Sequence, residues 1–173
     1  LSVPRYFQKE VYGVKLSEIS TYLRGGRGEF PNSSKLIKIK DLTGSGLGFK
    51  LDLSQVEEQS EPAKASRSID ESCLLLAARG KSLKPTFFEY SHDPILLTNE
   101  ILPLRVDERV VDVAYLINEL QADYVQEQLD SFRIGVSIPM IRREDLMQVV
   151  IKLPSLQEQK AKMQGILEVS KRI

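Results

Sequence analysis

Few side chains in this sequence have the types and spacing that catalysis requires. His92 is the only histidine and Cys73 the only cysteine, so neither a histidine-based metal site nor a cysteine zinc site is expected. A nucleophile–base pair would need His92 or a lysine, and "SHDP" around His92 is typical of an exposed turn. The sequence therefore predicts no catalytic residue, no metal and no cofactor.

Other reactive side chains have simple structural explanations. The carboxylates Glu119, Asp123, Glu127 and Asp130 lie in a segment with helical apolar spacing. We expect them on the solvated side of the helices, where a run of charges makes a surface soluble. Cys73 opens the apolar run "CLLLAA" and is expected to be a buried thiol without chemistry.

Basic side chains offer a different chemistry, the binding of phosphates and base edges. The chain has 24 basic and 24 acidic residues, so its net charge gives no global indication of a nucleic-acid partner. The stretch from Arg24 to Lys50 is lopsided, with six basic residues against Glu29 and Asp41. It includes "RGGRG", two arginines on a glycine loop that can approach a phosphate backbone closely. A local basic face is compatible with a neutral chain.

Three further features give weaker indications of phosphate or DNA binding. "ARGKSLK" is typical of a solvated hairpin turn, with a DNA contact as the alternative. "GSGLG" matches neither the Walker nor the dinucleotide fingerprint and lies between strands, so we interpret it as a turn. Asn32 is of a type that reads adenine, but a turn role fits its surroundings better.

The elements that must position these residues are strands first and helices later, which predicts an α+β class. "KLIKIKDL" alternates and predicts a half-buried strand with Lys38 and Lys40 facing outward. "CLLLAAR" predicts a buried strand, and "PTFFEY" an antiparallel return. After Val111 the apolar positions have helical spacing, but their phase shifts by about 120°. We therefore expect two helices, or one bent between Leu120 and Val125.

The segment "LPSLQEQK" marks a boundary. Pro154 ends a strand, and Ser155 followed by Glu158 fits a capping box, so a helix should begin at Leu156. Its apolar residues form a narrow seam with heptad-like spacing. Such a seam either covers a domain surface or meets a partner helix, and the residues alone leave both open. The seam consists of Leu156, Met163, Ile166, Ser170 and Ile173.

Length and composition limit the domain organisation and the class of protein. With 173 residues, 42% hydrophobic and 28% charged, the chain is expected to be one soluble domain, or one domain with an appendage. No apolar run is long enough to span a bilayer, and no signal peptide is visible. A single cysteine suits a reducing, cytoplasmic compartment. Because the chain begins at Leu1 and ends inside a predicted helix, we expect it to be part of a longer protein.

Several motifs together resemble the specificity subunit of type I restriction-modification systems. "LPSLQEQK" after "GVSIPMIRREDLMQVVI" resembles the end of a target recognition domain in that family. "VKLSEI", "IKIKDL", "SCLLLAARGK" and "VAYLINELQADYVQEQL" agree with it in the same order. The resemblance covers about residues 14 to 164.

The resemblance implies a non-catalytic module that reads one half of a bipartite DNA sequence. It implies a mixed, largely antiparallel twisted sheet with a late helical pair and a C-terminal spacer helix. Residues 1–154 would be the target recognition domain and 155–173 the start of the spacer helix. Implied partners are double-stranded DNA, the adenine methyltransferase subunit, the restriction subunit and a second recognition domain reached through the spacer helix.

Alternatives to a two-domain parent stay open. The chain can come from a half-subunit that dimerises, or from a chain that itself methylates adenine in DNA. A protein-interaction domain without a DNA role is a third interpretation. Because base-reading positions vary within the family, the DNA-binding candidates come from this sequence alone. They are Arg24, Arg27, Lys38, Lys40, Arg79, Lys81 and Lys84, and the partner-helix candidates are Leu156, Met163, Ile166 and Ile173.

Overall fold

Strands come first along the chain and the longer helices come late. The computed structural model describes residues 12–27, 34–43, 49–59, 67–133 and 139–171. The strands are β1 Val14–Lys15, β2 Ser20–Tyr22, β3 Ser34–Ile37, β4 Glu58–Gln59, β5 Arg67–Ile69, β6 Cys73–Ala77, β7 Thr86–Phe88, β8 Ile95–Leu97, β9 Ile101–Val106 and β10 Val150–Ile151. The helices are α1 Leu16–Ile19, α2 Val113–Leu120, α3 Asp123–Phe132, α4 Arg143–Leu146 and α5 Leu156–Lys171. Two 3-10 turns span Ile39–Asp41 and Leu53–Gln55.

The central sheet has the order β2-β9-β6-β7, with every pair antiparallel. All five residues of β6 are buried, which explains its uninterrupted apolar sequence. Side chains of a strand alternate between faces, and here Leu74 and Leu76 join one core cluster while Cys73, Leu75 and Ala77 join another. The central sheet therefore has a hydrophobic core on each face.

Different layers cover the two faces. The second four-stranded sheet, β4-β3-β8-β5, contains one parallel pair, β3–β8, and supplies Ile37, Ile69 and Leu97 to the core around Leu75. The helices supply Leu116 and their other buried residues to the core around Leu74. The predicted α+β class with mixed, largely antiparallel sheets is confirmed, with the strands divided among three sheets.

The helical pair is also confirmed, because α2 ends at Leu120 and α3 begins at Asp123. Asp112 caps α2 by accepting a hydrogen bond from the Tyr115 amide at 3.0 Å. Ala122 has an extended backbone conformation, and this break redirects the chain. Apolar residues of both helices consequently reach the same core.

The two-stranded sheet joins β1 to β10 and brings Gly13 against the backbone of Ile151. A Cβ atom on Gly13 would lie 2.1 Å from the Ile151 carbonyl oxygen, so this close approach requires glycine. The pairing places the chain before α1 beside the strand that leads into α5.

One predicted strand is shorter than expected. β3 ends at Ile37, because the Asp41 carboxylate accepts a hydrogen bond from the Lys38 amide at 2.9 Å and holds the 3-10 turn Ile39–Asp41. The prediction that Lys38 and Lys40 face outward from a strand is therefore wrong. Both side chains belong to the turn that follows it.

The solvated position predicted for Glu119 is also wrong. Glu119 is 2% exposed, whereas Asp123, Glu127 and Asp130 are exposed as expected. The hydroxyl groups of Tyr115 and Tyr124 donate hydrogen bonds to its carboxylate, and a carboxylate with such partners can be buried. Apolar spacing identifies the helix faces but does not reveal polar groups within the buried face.

No helix within the described ranges is both long enough and apolar enough to cross a membrane. The "GSGLG" turn from residue 44, Asn32 and Ile173 lie outside the described residues, so the predictions made for them stay predictions.

Candidate nucleic-acid interface

The central sheet brings two basic loops to one end of the molecule. In the antiparallel registers, Tyr22 of β2 pairs with Leu104 of β9, and Ala77 of β6 pairs with Ile101 of β9. Strands β2 and β6 therefore run in the same direction on either side of β9. Both strands leave the sheet at the end of β9 where Ile101 lies. Arg24 follows β2 there, and Arg79 follows β6. Neighbouring strands are about 5 Å apart, so the two loops begin about 10 Å apart.

The second sheet delivers a third basic segment to the same end. β3 is parallel to β8, and the Thr98 amide donates to the Ile37 carbonyl at 3.3 Å. The segment from Thr98 to Glu100 connects β8 to β9 and lies between the two basic loops. The turn that begins at Lys38 therefore starts beside this connection. The ends of β2, β6 and β3 thus bring three of the predicted basic segments together.

The loop after β2 is fixed by backbone hydrogen bonds. The Gly26 amide donates to the Ser68 carbonyl at 2.9 Å, and the Ser68 amide donates to the Gly26 carbonyl at 3.0 Å. Gly25 has φ +72°, and a Cβ atom there would lie 2.9 Å from the Ser68 carbonyl oxygen, so the turn requires glycine. Arg24 and Arg27 are exposed on either side of it. Neither has an ion-pair or hydrogen-bond partner for its guanidinium among the described residues.

Arg67 supports this loop, a role that no sequence motif indicates. Its guanidinium donates to the Ile101 carbonyl at 2.6 Å, donates to the Tyr22 hydroxyl, and lies 5.8 Å from the centroid of the Tyr22 ring. Arg143 covers the same ring at 4.6 Å. These contacts join β2, β5 and β9 beneath the loop, so Arg67 is half-buried and not available to a ligand in the way Arg24 is.

The β6–β7 connection is a hairpin, as predicted from "ARGKSLK". Gly80 and Lys84 have positive φ angles of 105° and 45°, which close the turn, and the Ala77 amide donates to the Leu83 carbonyl at 2.6 Å. Arg79 forms an ion pair with Glu100 at 2.9 Å. The Lys81 carbonyl accepts from Arg133 at 3.2 Å, but the ammonium groups of Lys81 and Lys84 have no partner within the described ranges.

Lys38 and Lys40 share one carboxylate. Their ammonium nitrogens lie 3.8 Å and 3.2 Å from Glu57. The hydrogen bond from Lys40 and the charges of both lysines lower the pKa of Glu57 below its ordinary value. This arrangement neutralises part of the charge that the sequence assigned to a basic face.

Two other basic residues of the same stretch are also engaged. Lys35 donates to the backbone carbonyls of Leu53 at 2.7 Å and Val56 at 3.3 Å. Lys50 pairs with Glu89 at 2.9 Å. Of the predicted DNA-binding residues, the structure leaves Arg24, Arg27, Lys81 and Lys84 as the described cations without a partner, at the end of the sheet to which β2 and β6 lead.

The C-terminal helix covers part of the domain. Met163 is half-buried and packs on the helical core. It lines a cavity of about 180 Å³ with Ile166, and Phe49 and Ile117 line the other side. Part of the predicted partner-helix seam therefore contacts α2 of the same chain. The predicted start at Leu156 is confirmed, and the Glu158 amide donates to the Ser155 hydroxyl at 3.2 Å. Assignment of the seam to a partner helix stays a prediction.

The described residues contain no cluster of three or more His, Cys, Asp or Glu side chains that could hold a metal ion. His92 lies in an exposed bend. Cys73 is fully buried, and burial raises its pKa to about 12. Within these ranges, exposed guanidinium and ammonium groups are what the interface offers, and such groups bind phosphates and the guanine edge.

Comparison with known proteins gives a structural answer only. No family model matches the sequence, and no curated protein matches it. Among solved structures, a chain from the type I R-M system, described for its complex assembly and conformational transition, matches with TM-score 0.63 at 15% identity over 93% of this chain. The HsdS subunit from Thermoanaerobacter tengcongensis matches with TM-score 0.63 at 16% identity over 93%. This chain has the fold of one part of a type I S subunit.

A further solved structure, the S subunit of the type I restriction-modification system from M. genitalium, matches with TM-score 0.50 at 15% identity over 96% of this chain. The chain spans 37% to 41% of the length of these three solved chains. The resemblance inferred from sequence motifs is thus confirmed at the level of the S-subunit fold. Identities of 15% to 16% transfer no individual site residue.

Proposed function

We propose that this chain is a DNA target recognition module of a type I restriction-modification system and reads one half of a bipartite target. The observation that carries the proposal is the convergence of the Arg24–Arg27 loop and the Lys81–Lys84 hairpin at one end of the central sheet. The S-subunit fold supports it. The module is non-catalytic and positions DNA for a separate adenine methyltransferase and restriction subunit.

Residues 1–154 form the reading unit in this proposal, and 155–173 begin the spacer helix. Arg24 and Arg27 are the preferred base readers, because a guanidinium on a fixed loop can bind guanine with two hydrogen bonds. Lys81 and Lys84 are assigned to phosphates. Lys38, Lys40 and Arg79 have acidic partners and play a secondary role at the margin of the interface. The exposed remainder of α5 meets a partner helix of a second recognition domain.

Fluorescence anisotropy with labelled random-sequence duplexes tests the phosphate contacts. Each phosphate contact changes the slope of log affinity against log salt by about −0.9, so Lys81→Gln with Lys84→Gln should flatten the slope by about two units. The matched control is Lys160→Gln with Lys171→Gln, two exposed lysines of α5, which should leave the slope unchanged.

Selection of bound duplexes from a random pool tests the base contacts. Arg24→Gln or Arg27→Gln should relax preference at one base pair, costing about 1–3 kcal/mol of discrimination. Binding that has the same affinity, salt slope and sequence preference in every variant would show that DNA lies elsewhere or does not bind.

A further inference from the structure

Gln159 fastens the first turn of α5 to the start of α2. It is the one buried residue of α5 in the described part of the helix and is 0% exposed. Its side-chain amide donates to the carbonyls of Val110 at 3.0 Å and Pro154 at 2.8 Å, and its oxygen accepts from the Asp112 amide at 2.8 Å. Both donors and the acceptor are used, so the side chain fits one orientation only.

One helical turn later, Lys162 reaches the buried carboxylate of Glu119. The ammonium nitrogen lies 3.0 Å from Oε2 and 5.5 Å from the centroid of the Tyr115 ring. The other carboxylate oxygen, Oε1, lies 3.1 Å from the hydroxyls of Tyr115 and Tyr124. Glu119 therefore connects α2, α3 and α5 through atoms of three different side chains.

The same hydroxyls hold the segment that leads into α5. The Tyr115 hydroxyl lies 2.7 Å from the Lys152 carbonyl, and the Tyr124 hydroxyl accepts from the Lys152 amide at 3.1 Å. A hydroxyl has one proton, so Tyr115 shares it between the Lys152 carbonyl and Glu119, with the carbonyl closer. The strand end, the two helices and α5 thus meet at one polar cluster.

Apolar packing alone does not set the direction of α5. Met163 and Ile166 are half-buried, and beyond them Leu167 and Val169 are 43% and 61% exposed. Apolar burial is non-directional, whereas hydrogen bonds weaken steeply when their angle changes. The bonds of Gln159 and Lys162, spaced along the helix, constrain its angle in a way that a thin apolar contact cannot.

We infer that Gln159, Glu119 and Lys162 are positioning residues that fix the angle at which α5 leaves the DNA-reading unit. The inference rests on the proposed function for its biological meaning. α5 has 16 residues and is about 24 Å long at 1.5 Å per residue. A swing of about 15° would displace its end by about 6 Å, close to two base-pair steps of about 3.4 Å. Two recognition units that read half-sites at a fixed spacing require the swing of α5 to be smaller than this. These residues are therefore determinants of half-site spacing.

The test follows the position of α5 relative to the sheet through a distance, without DNA. Spin labels are attached to Asp70→Cys beside β5 and Glu168→Cys on α5, both exposed, and the distance between them is recorded by pulsed electron resonance. Cys73 is 0% exposed and stays unlabelled. In this labelled background, Gln159→Ala and Lys162→Met should broaden or shift the distance distribution by up to about 5 Å, because Glu168 lies about 18 Å along α5 from its first residue. Lys160→Met, the same change at an exposed lysine of α5, should reproduce the parent distribution.

Thermal unfolding of each variant separates positioning from general stability. A merely structural contribution would lower the unfolding temperature while leaving the distance distribution of the folded protein unchanged, and that result would overturn the inference. If Lys162→Met does not fold, the double variant Glu119→Gln with Lys162→Met, which leaves no unpaired carboxylate, is judged by the same criterion. A failed DNA titration would remove the proposed function but would leave this distance measurement standing.

Discussion

Lys162 places its ammonium nitrogen 3.0 Å from Oε2 of Glu119, whose side chain is 3% exposed, while the lysine side chain is 49% exposed. The acidic partner is thus inside the protein and the basic partner spans the boundary with water. Removing the lysine leaves a buried charge without its cation, whereas removing both leaves none. The pair is consequently asymmetric in its effect on stability.

The first prediction follows from this asymmetry. Lys162→Met should lower the free energy of unfolding by about 1–3 kcal/mol, because Glu119 loses a charged partner. The double variant Glu119→Gln with Lys162→Met should be more stable than Lys162→Met alone. Urea titrations of both variants, with Lys160→Met as the exposed control, measure the difference. Equal stability of Lys162→Met and Lys160→Met would contradict it.

The second prediction concerns Glu57, which occupies the ammonium groups of Lys38 and Lys40. Glu57→Gln should free both lysines and strengthen binding to random-sequence DNA. The slope of log affinity against log salt should become steeper by up to about two units, about one for each lysine that then contacts a phosphate. Glu58→Gln changes a neighbouring exposed carboxylate and serves as the matched control. If the two variants bind alike, the Lys38 turn lies outside the interface.

Most of the fold could be predicted because it depends on local signals. The phase shift after Leu120 predicted the helical break, and Pro154 with Ser155 predicted where α5 begins. "CLLLAA" predicted a buried strand because a strand covered on both faces needs apolar residues at every position. Each of these features is encoded within a few consecutive residues.

The errors arose where contacts of polar side chains, which apolar periodicity and charge counts do not reveal, decide the outcome. Asp41 stops β3 at Ile37 by accepting a hydrogen bond from the backbone of Lys38, which outweighs the alternating pattern. Glu119 is buried because Tyr124 and Lys162 satisfy it from other elements. Charge counting likewise predicted a basic stretch from Arg24 to Lys50, but acidic residues brought in by the fold neutralise much of it.

The third prediction compares two glycines. Gly13→Ala should destabilise the protein by about 1–3 kcal/mol, since its Cβ atom would lie 2.1 Å from the Ile151 carbonyl oxygen and force the β1–β10 pair apart. At Gly165, no described atom outside the helix's own nearby backbone lies within 4 Å of an added Cβ atom, so Gly165→Ala should stabilise α5 by about 0.5–1 kcal/mol. Urea denaturation of both proteins checks the opposite signs. A stable Gly13→Ala protein would show that the pair tolerates a wider separation.

The last prediction concerns the pH dependence of stability that Cys73 produces. Burial raises the pKa of its thiol from 9.0 to about 12, so the folded protein retains a proton that the unfolded chain loses first. The contribution is fully present below pH 9.0 and is lost as the pH rises toward about 12. Within that window the free energy of unfolding should fall more steeply in the wild type than in Cys73→Ala, by an extra slope approaching about 1.4 kcal/mol per pH unit. Comparing the two proteins cancels the titration of lysines and tyrosines, which both contain. Parallel stability curves between pH 8 and pH 10.5, measured by urea titration at steps of about half a unit, would show that the thiol ionises equally easily in both states.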